Sequence, residues 1–406
     1  MTKAGLMLMN LQTISGAMLL THSEPIYQTN HGAAYCGDSL RLLAELEDGS
    51  IDLVMTSPPF ALLREKEYGN KQQHEYVAWL AQFARLVKDK LKETGSFVLD
   101  LGGAYEPGQP SRSLYPFRVL IEFCDNLGFH LAEDFYWYNP SKLPSPIEWV
   151  NKRKLRAKDA VNTVWWFSKT PWPKANVSKV LAEYSDRMKK LIEDPAAFYT
   201  PKKRPSGHDI SASFGKDNGG AIPSNLLQIP NSESNGCYLR GCKAVEAKGH
   251  PARFPAKLPE FFIRFLTEPG DVVLDIFAGS NTTGQVAERE GRHWLAFEER
   301  LDYLAASSFR FFGETATEHD LVHAYDALMA GEAVDFRRAV YSSGTINGGS
   351  VVNATDSKRH HAENVEQGLL FLREEAVAGT PLRSRKEVKY QKQKLQRQKR
   401  SSLRDK

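Results

Sequence analysis

Hydrophobic positions along the chain fall into two alternating kinds of run. Blocks rich in branched and aromatic side chains, at residues 51–55, 96–101, 134–138, 163–167, 272–276 and 293–297, have the length and composition of strands. Several end in sequence suited to a site. Residues 51–55 lead into Thr56-Ser57-Pro58-Pro59-Phe60, 96–101 into Gly102-Gly103, 272–276 into Phe277-Ala278-Gly279-Ser280, and 293–297 stop at Glu298. Between these blocks the apolar spacing turns helical. Residues 75–92 place Val77, Leu80, Phe83, Ala84, Val87 and Leu91 on one face, and residues 258–267 do the same with Leu258, Phe261, Phe262, Phe265 and Leu266. Alternating strands and helices predict an α/β fold with a parallel sheet covered on both sides.

Two regions break the rhythm. Residues 174–248 are rich in Pro, Ser, Asn, Gly and basic side chains without a sustained period, and read as a loop-rich insert. Residues 340–382 are largely small and polar with one short apolar helix candidate, 364–377, and the last 24 residues read as charged helix or disorder. The chain thus divides into an N-terminal extension (1–30), a first α/β part (31–173), the insert (174–248), a second α/β part (249–339) and a C-terminal extension (340–406).

Charge sharpens that division. The 53 Lys and Arg against 49 Asp and Glu give a net charge of only +4 over 406 residues. Residues 383–406 carry 11 basic and 2 acidic side chains, and residues 142–204 carry 15 and 6, so each region contributes +9 and the remainder sums to −14. Two basic regions on an acidic protein point to a polyanionic partner. Four cysteines in a chain of this length make no disulfide framework. Cys237 and Cys242 lack a second pair for zinc, so no metal is expected. No run reaches the ~18 apolar residues of a membrane span, and Asn10, Gln12, Thr13 and Ser15 interrupt the apolar start, so a cytoplasmic chain is expected.

The segment from Asp275 to Gly284 joins a buried strand to a helix, where glycine lets backbone approach a ligand and the helix start offers N–H groups. It lacks the Gly-x-Gly-x-x-Gly turn of dinucleotide folds. Glu298, at the end of the next strand, is placed to accept both ribose hydroxyls of a nucleoside-like ligand. A glycine turn followed by an acid fits a nucleoside cofactor without a pyrophosphate.

In Ser57-Pro58-Pro59-Phe60 two prolines fix the backbone and remove two donors. The Ser57 hydroxyl and the Pro58 carbonyl are then two acceptors for the N–H bonds of an exocyclic amine, and Phe60 is available to stack on a base. Acceptors that draw the cytosine amine toward tetrahedral geometry make its nitrogen a better nucleophile. Asp100 is a candidate to accept the released proton or to hold Ser57, with a structural carboxylate as the alternative. None of the four cysteines follows a proline. Both turns are expected at the carboxyl ends of neighbouring central strands, where α/β sheets bind ligands.

With these residues in place the sequence resembles the amino-specific DNA methyltransferases that use S-adenosylmethionine. The catalytic turn precedes the cofactor turn, as in their circularly permuted beta group, whose sheet is Rossmann-like and carries an inserted DNA target-recognition region. Ser57-Pro58-Pro59-Phe60 resembles the cytosine-N4 form of the catalytic motif; adenine-N6 enzymes usually carry Asp or Asn in place of Ser57. Gly37-Asp38-Ser39-Leu40 is similar to the segment that meets the cofactor adenine, and the segment from His250 to Pro255, followed by Leu258-Pro259 and Asp275 to Gly284, to the cofactor-pocket helix and turn. The resemblance runs from Tyr35 to about Phe312 and includes the segment from Pro140 to Trp149 with the basic run after it.

The resemblance implies a monomeric enzyme that flips a cytosine from double-stranded DNA and methylates it on N4, as the modification arm of a type II restriction-modification system with a cognate endonuclease. It assigns Ser57, Pro58, Pro59 and Phe60 to catalysis, and Asp100, at the end of its strand, stays the candidate proton acceptor beside them. Asp38, Phe254, Pro255, Asp275, Phe277, Gly279, Ser280, Thr282, Thr283 and Glu298 fall to the cofactor, and residues 174–248 to base contacts. If it extends through the insert, the target is CAGCTG, methylated at the internal cytosine. Asn281 stands where many relatives have Gly, and an altered turn contact is expected there. Lys142, Lys152, Arg153, Lys154 and Arg156 are candidates for phosphate contacts. Trp137, Trp149, Trp165 and Trp166 could stack on bases, but core is the expected place for most. The rival readings are an adenine-N6 enzyme, methylation of RNA or of a protein amide, and a non-catalytic DNA-binding module that keeps the fold.

Overall fold

A computed structural model describes residues 20–60, 73–194, 216–232, 236–313 and 315–338. The first 19 residues, the helix candidate 364–377, the basic tail 383–406 and parts of the 174–248 insert lie outside the described residues. Among the described residues no helix is long and apolar enough to cross a membrane.

The strands are β1 (Tyr27–Gln28), β2 (Gly32–Cys36), β3 (Ile51–Thr56), β4 (Leu91–Leu101), β5 (His130–Tyr138), β6 (Val161–Ser168), β7 (Leu226–Gln228), β8 (Val272–Asp275), β9 (His293–Glu298) and β10 (Val334–Asp335). They form one sheet in the order β10-β1-β2-β9-β8-β3-β4-β6-β5-β7. The central run β2-β9-β8-β3-β4 is parallel throughout. The rest departs from the all-parallel expectation, because β6 is antiparallel to both β4 and β5, and β1 to β2. A parallel return needs a crossover element long enough to carry the chain back along the sheet. Residues 139–160 hold only a five-residue π-helical turn, Glu148–Lys152, so β6 starts at the edge where β5 ends.

Side chains alternate across the central strands, and both faces are buried. Phe97, Leu99, Trp165, Phe167, Leu295 and Phe297 face one core. It is closed by α1 (Ser39–Ala44), α2 (Gln73–Lys90) and α3 (Tyr115–Ile121), through residues such as Leu42, Leu80, Val87 and Val119. Leu53, Met55, Val98, Val164, Trp166 and Ala296 face the other. There α6 (Lys257–Leu266), α7 (Thr282–Arg289) and α8 (Leu301–Ser307) pack; α4 (Asp186–Glu193), α5 (Cys237–Ala244) and α9 (Glu318–Met329) complete the helices described. The helix expected at 75–92 ends at Lys90 and passes without a loop into β4, so Leu91 is a strand residue paired with Ile51. As expected, Trp137, Trp165 and Trp166 are core residues.

Candidate active site

β3 carries the chain out of the sheet through Ser57-Pro58-Pro59-Phe60. The Ser57 hydroxyl donates to Asp100 Oδ2 on β4 at 3.0 Å. Asp100 is 2% exposed, and its Oδ1 accepts from the Asn162 side-chain amide on β6 at 3.1 Å. Burial pushes the Asp100 carboxyl up to about 6, against the Asn162 and Ser57 hydrogen bonds and the positive charge of Lys142. The Phe60 ring lies where a side chain at 102 would start: a Cβ on Gly102 would fall 2.3 Å from it. Gly102 therefore sets the position of Phe60 over the end of β4.

Beside β3 runs β8, in parallel register, and it ends at Asp275. The Asp275 carboxylate is buried and reaches both turns: it accepts from Thr56 Oγ1 at 2.6 Å, from Thr283 Oγ1 at 2.7 Å and from the Phe277 N–H at 3.1 Å. Gly279 follows with φ 52°, and a Cβ there would meet the His250 ring at 3.0 Å. Its N–H donates to Glu298 Oε2 at 2.8 Å, while the Arg300 N–H donates to Oε1 at 3.0 Å. Burial pushes the Glu298 carboxyl up to about 7, opposed by those two backbone donors.

Asn281 takes the left-handed conformation glycine favours, with φ 51°. Its side chain accepts from the Gly284 N–H at 3.0 Å and donates to the Tyr27 hydroxyl at 2.9 Å. The altered contact expected of Asn281 is thus a helix cap tied to β1. Gly284 has to be glycine, since a Cβ would fall 2.3 Å from Asn281 Oδ1.

A cavity of about 490 Å3 opens between these turns, lined by Asp38, Ser39, Leu40, Ser57, Pro58, Pro59, Phe60, Trp79, Phe83, His250, Ala252, Ile276, Phe277, Glu298, Glu299 and Arg300. Seven sequence-predicted residues line it: Asp38, Ser57, Pro58, Pro59, Phe60, Phe277 and Glu298. Asp100 stands behind Ser57. Asp275, Ser280, Thr282 and Thr283 are buried beneath the cofactor turn and hold its shape; Ser280, for example, accepts from Arg310. Phe254 packs against the second core and Pro255 is buried, so from their segment it is His250 and Ala252 that reach the cavity.

Asn162, Trp79 and Phe83 escaped the sequence reading. Phe83 lies on the α2 stripe that patterning assigns to the core, whereas Trp79 lies outside that stripe; both pack on Phe277, with ring centroids 5.0 and 5.7 Å away. Among the basic candidates, Lys152 and Arg153 both pair with Glu148 at 3.0 Å. Arg156 donates to the Pro110 carbonyl and lies 4.8 Å over the Tyr105 ring. Lys154 is exposed and Lys142 half-buried.

Comparison with known proteins decides the family. The sequence profile of the family described as DNA methylase matches residues 51–309. The type II methyltransferase M.PvuII of Proteus hauseri is 64% identical over 336 residues, covering 82% of this chain and all of that relative. M.ScaI of Streptomyces caespitosus is 28% identical over 283 residues, covering 69% of this chain and 81% of that protein. The chain belongs to the DNA methylase family. A solved structure of the PvuII DNA methyltransferase, described as cytosine-N4-specific, superposes with a TM-score of 0.65 at 56% identity, covering 78% of this chain and 98% of that one. The methylase therefore has DNA as its substrate and S-adenosylmethionine as its cofactor. The cavity fits that cofactor, with the half-buried Glu298 carboxylate for hydroxyl groups and the Phe277, Trp79 and Phe83 rings for a flat heterocycle.

The Asp100 environment predicts a pH dependence. If Asp100 takes the proton released in methyl transfer it must be a carboxylate, so activity rises with pH through its pKa and the acid limb should lie near pH 6. Replacing Asn162 by Leu removes a donor that favours the carboxylate, and the limb should move to higher pH with an approximately tenfold loss of kcat/KM at pH 6. Cofactor affinity should stay unchanged. A limb that does not move in Asn162→Leu contradicts this role.

Proposed function

We propose that this protein transfers a methyl group from S-adenosylmethionine to the exocyclic N4 of a cytosine flipped out of double-stranded DNA. The observation that carries this reading is the Ser57 hydroxyl, held 3.0 Å from buried Asp100 in the same cavity as Glu298. Residues 174–248 are proposed to read the bases of CAGCTG, with the internal cytosine as the target, in keeping with 64% identity to M.PvuII across that relative's full length. The enzyme would act as a monomer in the cytoplasm, as the modification arm beside an endonuclease cutting the same site.

When bound, the cofactor supplies an electrophilic methyl group on a sulfonium. Glu298 would bind its ribose hydroxyls, Asp38 would meet the adenosine end, and Phe277 would cover the ring. Ser57 Oγ and the Pro58 carbonyl would hold the target amine, with Phe60 stacked on the base. Asp100, through Ser57 or directly, would take the proton that N4 releases; its raised pKa matches a proton acceptor working near neutral pH. Pro58, Pro59, Phe60 and Trp79 give the cavity apolar walls, which would keep water from the reacting atoms once base and cofactor fill it. No covalent intermediate on the enzyme is needed.

Glu298 sets a pH dependence for cofactor binding with the same sign. Only its carboxylate accepts from two hydroxyls at full strength, so affinity measured by calorimetry should rise with pH to a plateau above about 7. Glu298→Ala should weaken binding and flatten the profile; a flat profile in the unmodified protein contradicts ribose binding.

The reaction itself is tested with labelled S-adenosylmethionine and duplex DNA containing CAGCTG, digested to nucleosides. The expected product is N4-methylcytosine, and N6-methyladenine would overturn the base assignment. Ser57→Ala should slow transfer by about 100-fold or more, in the range for losing an oriented hydrogen-bonding group, and leave cofactor affinity within a few-fold.

A further inference from the structure

The connection from β5 to β6, residues 139–160, lies at the carboxyl edge of the sheet. Its second end runs straight into Asn162, which holds Asp100. Hydrogen bonds fix its base and both flanks. The Asn139 N–H donates to the Ala160 carbonyl at 2.9 Å, and the Asp159 N–H to the Ser145 carbonyl at 2.9 Å. The Lys158 ammonium donates to the carbonyls of Pro140 at 3.1 Å and Lys142 at 3.2 Å, and Asp159 pairs with Arg112 at 3.0 Å. Backbone is therefore pinned at Lys142 and at Ser145, and Leu143-Pro144 form the short tip between them. Pro144 restricts that tip further.

Leu143 is 79% exposed, and Ile147 and Leu155, on the same connection, are each 61% exposed. These apolar side chains stand among six cationic residues and one acidic residue between positions 142 and 158. A merely solvated basic loop has no use for a protruding leucine on a stiff tip. Duplex DNA supplies both complements, phosphates for the cations and the base stack for the apolar side chain. Proteins that open or bend DNA insert such wedges between bases, and a cytosine taken out of the helix leaves a gap of that kind. The connection leads within two residues into Asn162, whose amide holds Asp100 behind Ser57, so it rises from the edge of the sheet on which the cavity opens.

We propose that Leu143 enters the DNA stack at the position vacated by the target cytosine and holds the base out. Flipping is then stabilised by a side chain outside the catalytic cavity, and the flanking cations secure the approach to the phosphates. This inference rests on the base-flipping reading above.

The test compares the full-length protein with Leu143→Ala and Leu143→Met on two duplexes. In one the target cytosine is paired with guanine; in the other it faces an abasic site, so that flipping no longer breaks a pair. On the paired duplex Leu143→Ala should lose about tenfold or more in kcat/KM, the scale of a lost stacking wedge, and Leu143→Met should retain most of it. On the unpaired duplex Leu143→Ala and the parent should agree within about twofold, with cofactor affinity equal throughout. An equal loss on both duplexes, or no loss on the paired one, overturns the wedge. A parent protein that methylates neither duplex overturns the base-flipping reading, and the wedge with it.

Discussion

A single buried carboxylate joins the two halves of the site. Asp275 ends β8, yet its hydrogen bonds come from Thr56 at the end of β3, from Thr283 in α7 and from the Phe277 N–H of the cofactor turn. Burial disfavours its charge, so its pKa is raised, and three donors from two turns hold it in place. Removing one donor from such a group costs far more than an exposed hydrogen bond would. The turn after β3 and the turn after β8, more than 200 residues apart in the chain, are thereby fixed relative to each other at neighbouring strands.

From that junction the cavity takes its electrostatic character. Asp100 and Glu298 are both pushed upward, to about 6 and about 7, chiefly by burial. Each keeps a different set of donors: Asp100 has side chains, Ser57 and Asn162, while Glu298 has backbone N–H groups. Backbone donors cannot follow a moving proton and suit a fixed binding group. A hydroxyl donor is able to reorient, which suits a carboxylate that takes up a proton during turnover.

Much of this was legible in the sequence because the site is built from strand ends. Buried strands give themselves away by composition, and the residue after each strand is then at the sheet edge without further knowledge. Ser57, Phe277 and Glu298 were found this way, as was the neighbouring placement of the strands that lead to Ser57 and Phe277. Asn162 was not, because nothing local marks a strand polar residue that faces a buried acid on a neighbouring antiparallel strand. The direction of β6 followed from a missing crossover helix, which composition does not reveal. Phe83 shows a further ambiguity, since a helical apolar stripe reads as core even where one of its residues lines a cavity, and Trp79 lines the same cavity from outside that stripe. Asp275 was assigned to the cofactor by resemblance, and only its three-dimensional neighbours make it a tie between turns.

The claim that Asp275 couples the turns is tested most directly by calorimetric titration of S-adenosylmethionine into Thr56→Val. Thr56 does not line the cavity, and its hydroxyl donates to Asp275 alone among the hydrogen bonds described for it. Losing a hydrogen bond to a buried charged group is worth about 1.5–3 kcal/mol, so the account predicts a folded protein whose cofactor affinity falls by about tenfold or more. Affinity unchanged from that of the parent would contradict it.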